Sequence, residues 1–78
     1  MTNNYLSKQD MLNVVLAHIR DLHAEQYSHK LRIIEFEAAG LENINQDLYN
    51  QISDMVTQYD LRISALEAEK EKVLALPE

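Results

Sequence analysis

The side chains best suited to chemistry are three histidines, His18, His23 and His29, with Asp21 and Glu25 among them. Imidazole ligates metals, relays protons and titrates near neutral pH. Spacing decides which of these roles is open. On a helix, His18 and His29 point within about 20° of each other but stand ~16 Å apart along the axis. His23 points about 140° away from His18. No two of them can hold one ion on a single helix. The Glu-x-x-His pair of bundle di-iron sites is also absent, because Gln26 precedes His29 and Arg20 precedes His23 at that spacing. We therefore expect no metal site and no cofactor.

Acid–base chemistry is the other possibility. Asp21, Glu25 and His29 are spaced i, i+4, i+8 and form one ridge. A carboxylate beside an imidazole raises its basicity, but such ladders on a helix surface are usually solvated ion pairs of little energy. No nucleophile sits in a constrained turn, and two helices offer no concave pocket. The expectation is a non-enzymatic protein without catalytic residues.

The elements that position these residues are two helices and a turn. Ser7 followed by Asp10 resembles a capping box, and Leu6 and Met11 have the spacing of a hydrophobic staple. Helix 1 should run from about 8 to 39. It stops at Gly40, the only glycine, because glycine takes positive φ without a Cβ clash. Phe36 and Leu41 match the hydrophobic contact of a Schellman ending there. The turn covers 40–43. Asn43 or Asn45 can cap helix 2, which runs from about 44 to 76 and ends at Pro77. So short a connection makes the helices antiparallel neighbours. The fold class is thus all-α, one domain over residues 1–78, an antiparallel two-helix hairpin about 48 Å long.

Apolar periodicity assigns the faces. Helix 2 carries Ile44, Leu48, Ile52, Met55, Tyr59, Ile63, Leu66, Lys70 and Leu74, in steps of 4-4-3. This eleven-residue period predicts a nearly straight or slightly right-handed seam. Leu12, Leu16, Ile19, His23, Tyr27, Leu31, Ile34, Ala38 and Leu41 match it on the other side. Tyrosines 27 and 59 fall on this seam as core residues, and His23 is a polar notch in it. A second stripe remains: Met11, Val15, His18, Leu22, His29, Ile33 and Phe36. A hairpin covers one stripe per helix, so the surplus requires a partner. We expect this stripe to be an oligomer or partner interface, with a homodimeric four-helix bundle favoured and another protein as the alternative partner.

Charge and composition narrow the partners. Seven Lys+Arg against thirteen Asp+Glu give a formal charge of −6, which disfavours nucleic acid and anionic membranes. There is no cysteine, hence no disulfide or thiolate metal site. The longest apolar run, Val14 to Ala17, cannot span a bilayer, and residues 1–6 lack a secretory pattern. A cytoplasmic location is expected. From Glu42 onward eight acids face three bases, and none of those bases lies between Asn43 and Asp60. Asp47, Asp54 and Asp60 are therefore a candidate acidic face that steers a partner. The function this predicts is helix-face docking and oligomerisation, as an adaptor, inhibitor, assembly chaperone or structural subunit. The alternative is a metal- or pH-responsive bundle built on interfacial His18 and His29.

Overall fold

In the computed structural model, which describes residues 6–77, two helices pack side by side. Helix α1 covers Lys8–Ala38 and α2 covers Gln46–Leu74. The hairpin measures 56 × 17 × 15 Å. Contacts run in antiparallel order. Lys8 Nζ donates to the Leu76 carbonyl at 2.9 Å, Gln26 reaches Asp60, and the rings of Phe36 and Tyr49 stack at 6.4 Å.

Local chemistry sets the ends. The Asp10 amide donates to Ser7 Oγ at 3.0 Å, satisfying one of the orphan donors of the first turn. At the far end Gly40 adopts φ 69°. The Gly40 amide donates to the Glu37 carbonyl and the Leu41 amide to that of Phe36, at 3.0 and 2.9 Å. This is the double hydrogen bond of a Schellman motif. The connection is longer than 40–43. The Leu41 carbonyl accepts from the amides of both Ile44 and Asn45, a further tight turn that delays α2. Asn45, not Asn43, is its cap, accepting from the Leu48 amide at 3.4 Å. Helix α2 stops at Leu74, because Pro77 disfavours helical backbone at Leu76.

The seam differs from the expected one. On α1 the residues turned toward α2 are Leu12, Val15, Ile19, Leu22, Gln26, His29, Ile33 and Phe36. On α2 they are Tyr49, Ile52, Val56, Tyr59, Ile63, Leu66, Lys70 and Val73. Both rows step 3 and 4 alternately, a seven-residue repeat, the geometry of a left-handed coiled coil. The eleven-residue pattern is corrected at Val56 for Met55 and Val73 for Leu74. Met55 is 40% and Leu74 45% exposed, whereas Val73 is 3% exposed.

A buried amide explains the difference. Gln26 is only 5% exposed. Its Nε2 donates to the Val56 carbonyl at 2.9 Å and to Asp60 Oδ1 at 2.7 Å. Because these partners occupy fixed places on α2, Gln26 disfavours slipped registers, as polar core residues of coiled coils do. One turn on, the His29 ring lies 5.5 Å from that of Tyr59, a second polar group held in the seam.

Candidate functional site

The two stripes of α1 exchange roles over most of the helix, Leu12, Ile19 and His18 excepted. Of the seven residues expected at an intermolecular interface, Met11, Val15, Leu22, His29, Ile33 and Phe36 are buried or half-buried against α2, and only His18 is exposed. Of the stripe expected to form the seam, Leu12 and Ile19 keep that place, and the stretch that carries Leu16, Tyr27, Leu31 and Ile34 is left outside. Leu16 is 44%, Tyr27 61%, Leu31 42% and Ile34 56% exposed. The hairpin satisfies the heptad row that contains Gln26, because that amide has partners across the seam, and leaves the more apolar-looking row bare.

This outward row carries three of the exposed large hydrophobic side chains, Leu16, Tyr27 and Ile34. Leu16, Arg20, His23, Tyr27, Lys30 and Ile34 follow one another in steps of 4-3-4-3-4 along α1. At 3.6 residues per turn these steps hold all six side chains on one strip. Arg20, His23 and Lys30 are exposed with the others. Between Leu16 and Ile34 the strip carries two fixed cations and no carboxylate.

The opposite edge of the hairpin has a different character. His18, Asp21, Leu22, Glu25, Arg62, Ala65 and Leu66 line a groove of about 560 Å³ between the helices. Two of its charged groups, Glu25 and Arg62, meet on Tyr59. Tyr59 Oη donates to Glu25 Oε1 at 2.9 Å, and the Arg62 guanidinium lies 5.0 Å over the Tyr59 ring, a cation–π contact. The hydrogen bond to Glu25 raises the Tyr59 hydroxyl above its ordinary pKa, with desolvation a smaller cause. Tyr49 repeats the device nearer the turn, donating to Glu37 Oε2 at 2.7 Å, and its pKa is raised chiefly by that bond.

The expected Asp21–Glu25–His29 ridge is not assembled as a catalytic unit. Glu25 serves Tyr59, and the His29 ring packs in the seam with its Nδ1 3.4 Å from an Arg32 nitrogen. Among the described residues no group of three or more His, Asp or Glu side chains is placed to hold a metal ion. On α2, Asp47, Asp54 and Asp60 are all exposed, but two have structural work. Asp47 stands in the first turn, where negative charge complements the helix dipole, and Asp60 receives Gln26. Among the described residues no helix is long and apolar enough to cross a membrane. No family model, curated protein or solved structure matches the chain.

Proposed function

We infer that this chain is a non-enzymatic protein–protein interaction module that works by helix-face docking and self-association. One observation carries the reading: the apolar strip on α1, with Leu16, Tyr27 and Ile34 at 44%, 61% and 56% exposure, on a hairpin whose fully buried hydrophobic side chains are few. Singly exposed apolar residues are ordinary; here three large ones share one helix face, interleaved with Arg20, His23 and Lys30, a mixed apolar and cationic strip suited to a partner. Helix-in-groove and bundle contacts are read by such i, i+3/i+4, i+7 anchors. A second hairpin seated on the strip supplies the helix neighbours that a two-helix protein lacks, the logic of a four-helix assembly. The exposed acids of α2, Asp47 and Asp54 among them, then form the outer surface and bias which further partners approach.

The test is a dilution series followed by methyl and aromatic nuclear magnetic resonance, from millimolar to micromolar protein. Docking through α1 shifts the Leu16, Tyr27 and Ile34 signals with concentration and leaves those of Ile52 and Ile63 in place. Spectra that are independent of concentration, or shifts confined to α2, reject the reading.

A further inference from the structure

Most cations of this chain serve the hairpin itself. Lys8 donates to the Leu76 carbonyl, Arg32 reaches the His29 ring, and Arg62 covers the ring of Tyr59. Lys70 pairs with Glu67, and Lys72 stands in the last turn of α2, where it complements the helix dipole. Of the seven Lys and Arg residues, that leaves Arg20 and Lys30. Both are exposed on the outward strip of α1. Among the described residues neither is in an ion pair.

Their isolation is written into the sequence. On a helix, a carboxylate three or four residues away would pair with them. Around Arg20 those places hold Leu16, Ala17, His23 and Ala24; around Lys30 they hold Gln26, Tyr27, Ile33 and Ile34. None is acidic, in a chain with thirteen acids. Asp21 and Glu25 of the same helix line the groove at the opposite edge. Across the seam, Asp60 and Glu67 border the strip, following Tyr59 and Leu66 by one place as Lys30 and His23 follow His29 and Leu22. Asp60 already receives Gln26, and Glu67 holds Lys70. Two uncompensated positive charges therefore stand among apolar side chains on a chain whose formal charge is −6.

We propose that the outward strip of α1 binds an acidic amphipathic helix of another protein. The proposal rests on the docking face inferred above and not on self-association; a second copy and the acidic helix compete for that face. Arg20 and Lys30 are ten residues apart, ~15 Å along the axis. His23 and Tyr27 lie between them, and Leu16 and Ile34 lie just outside. The complement of this surface is an apolar row in steps of 3 and 4 with a carboxylate near each end, which one face of a helix supplies. A flat anionic surface fits less well. A membrane or a nucleic-acid duplex draws on clusters of cations, and laid on this face it also meets Asp60 and Glu67 on the adjoining edge of α2.

The length of the strip sets the strength. From Leu16 to Ile34 it runs ~27 Å along one helix, a contact at the small, transient end of protein interfaces. Charge then decides which partner docks, and how fast, more than how tightly. The dissociation constant is expected to be micromolar or weaker and to rise with salt.

Two fluorescein-labelled synthetic peptides, three heptads long with Leu at every a and d position, test the proposal. One carries Glu and the other Lys at the flanking positions. Anisotropy reads binding, with the protein kept below the concentration at which light scattering detects self-association. The Glu peptide should bind about tenfold more tightly than the Lys peptide, and less tightly as salt rises. Tyr27→Ala should weaken both. Arg20→Gln with Lys30→Gln should remove most of the preference. Arg32→Gln with Lys72→Gln changes the net charge equally and should preserve it. Circular dichroism checks that each variant stays helical. A preference that survives loss of Arg20 and Lys30, or that the control pair removes as well, reflects another face or total charge and overturns the proposal. Failure of both peptides to bind overturns it too. Equal binding of the two, lost in Tyr27→Ala, overturns the acidic partner and leaves the docking face standing. Phosphatidylglycerol vesicles that sediment the wild type but not the Arg20 and Lys30 variant, with no binding of the Glu peptide, assign the strip to a lipid surface and overturn it likewise.

Discussion

Replacing Gln26 tests how the seam is held. Its amide donates to a carboxylate, Asp60, and to a main-chain carbonyl, that of Val56. A hydrogen bond to a charged group contributes about 1.5–3 kcal/mol net and a neutral one about 1 kcal/mol. Gln26→Ala loses both, together with the packing of the γ-methylene at ~0.8 kcal/mol. Asp60 is exposed and returns to water, and the Val56 carbonyl keeps its place in the helical ladder. Those escapes hold the net loss to roughly 2–4 kcal/mol. A chain of this length has about 4–12 kcal/mol in total, so the variant is strongly weakened. Gln26→Leu behaves differently. It loses the same hydrogen bonds but buries an isobutyl group for about 1.5–3 kcal/mol. It should remain within about 1 kcal/mol of wild type. Urea titration followed by far-ultraviolet circular dichroism measures both variants. A Leu variant as unstable as the Ala variant would refute the view that this amide fixes register more than it contributes stability.

Further expectations follow from the turn, the tyrosines and the histidines. Gly40→Ala meets no atom within 4 Å, so its whole cost is the positive φ, about 1–2 kcal/mol in the same urea assay; a loss above that range would mean the turn is tighter than described. The hydroxyls of Tyr49 and Tyr59 have folded-state pKa values raised above 10.0, chiefly by bonding Glu37 and Glu25. A raised pKa adds stability at pH values below 10.0 that is lost as pH climbs through the folded value. Unfolding curves should therefore show an alkaline decline that Tyr49→Phe with Tyr59→Phe abolishes, and an unchanged decline in that variant contradicts the assignment. Zinc and chelator should leave helicity and mass unchanged, since His18 lines the groove, His23 lies on the outer strip and His29 sits in the seam; a zinc-dependent mass would show that copies of the chain build a site together.

What could be read from the sequence was what is decided locally. The Ser7 cap and the Gly40 ending with Phe36 and Leu41 depend on residues within one or two turns, and both formed at the expected positions. The choice between Asn43 and Asn45 turned on a second tight turn at Leu41 that residue types alone do not specify. The seam was not legible for a deeper reason. A glutamine and a histidine at successive core positions look like an outer face. Gln26 belongs inside only because Asp60 and Val56 on the other helix satisfy it, and His29 because Tyr59 packs on it. The available signal was the unbroken alternation of steps of 3 and 4 from Leu12 to Phe36 on α1 and from Tyr49 to Val73 on α2. An apolar count favoured the other row, and so the surface left for a partner was assigned to the wrong side of α1.

The central claim is that the outer strip of α1 is covered by another copy of the chain. Absolute mass by light scattering, measured across a concentration series, tests it most directly. The account predicts a mass that rises from the 9.1 kDa of one chain toward about twice that value, and a Tyr27→Glu variant, still helical, that stays at the lower limit. A wild-type mass of 9.1 kDa at every concentration, or a Tyr27→Glu variant that associates as the wild type does, would contradict it.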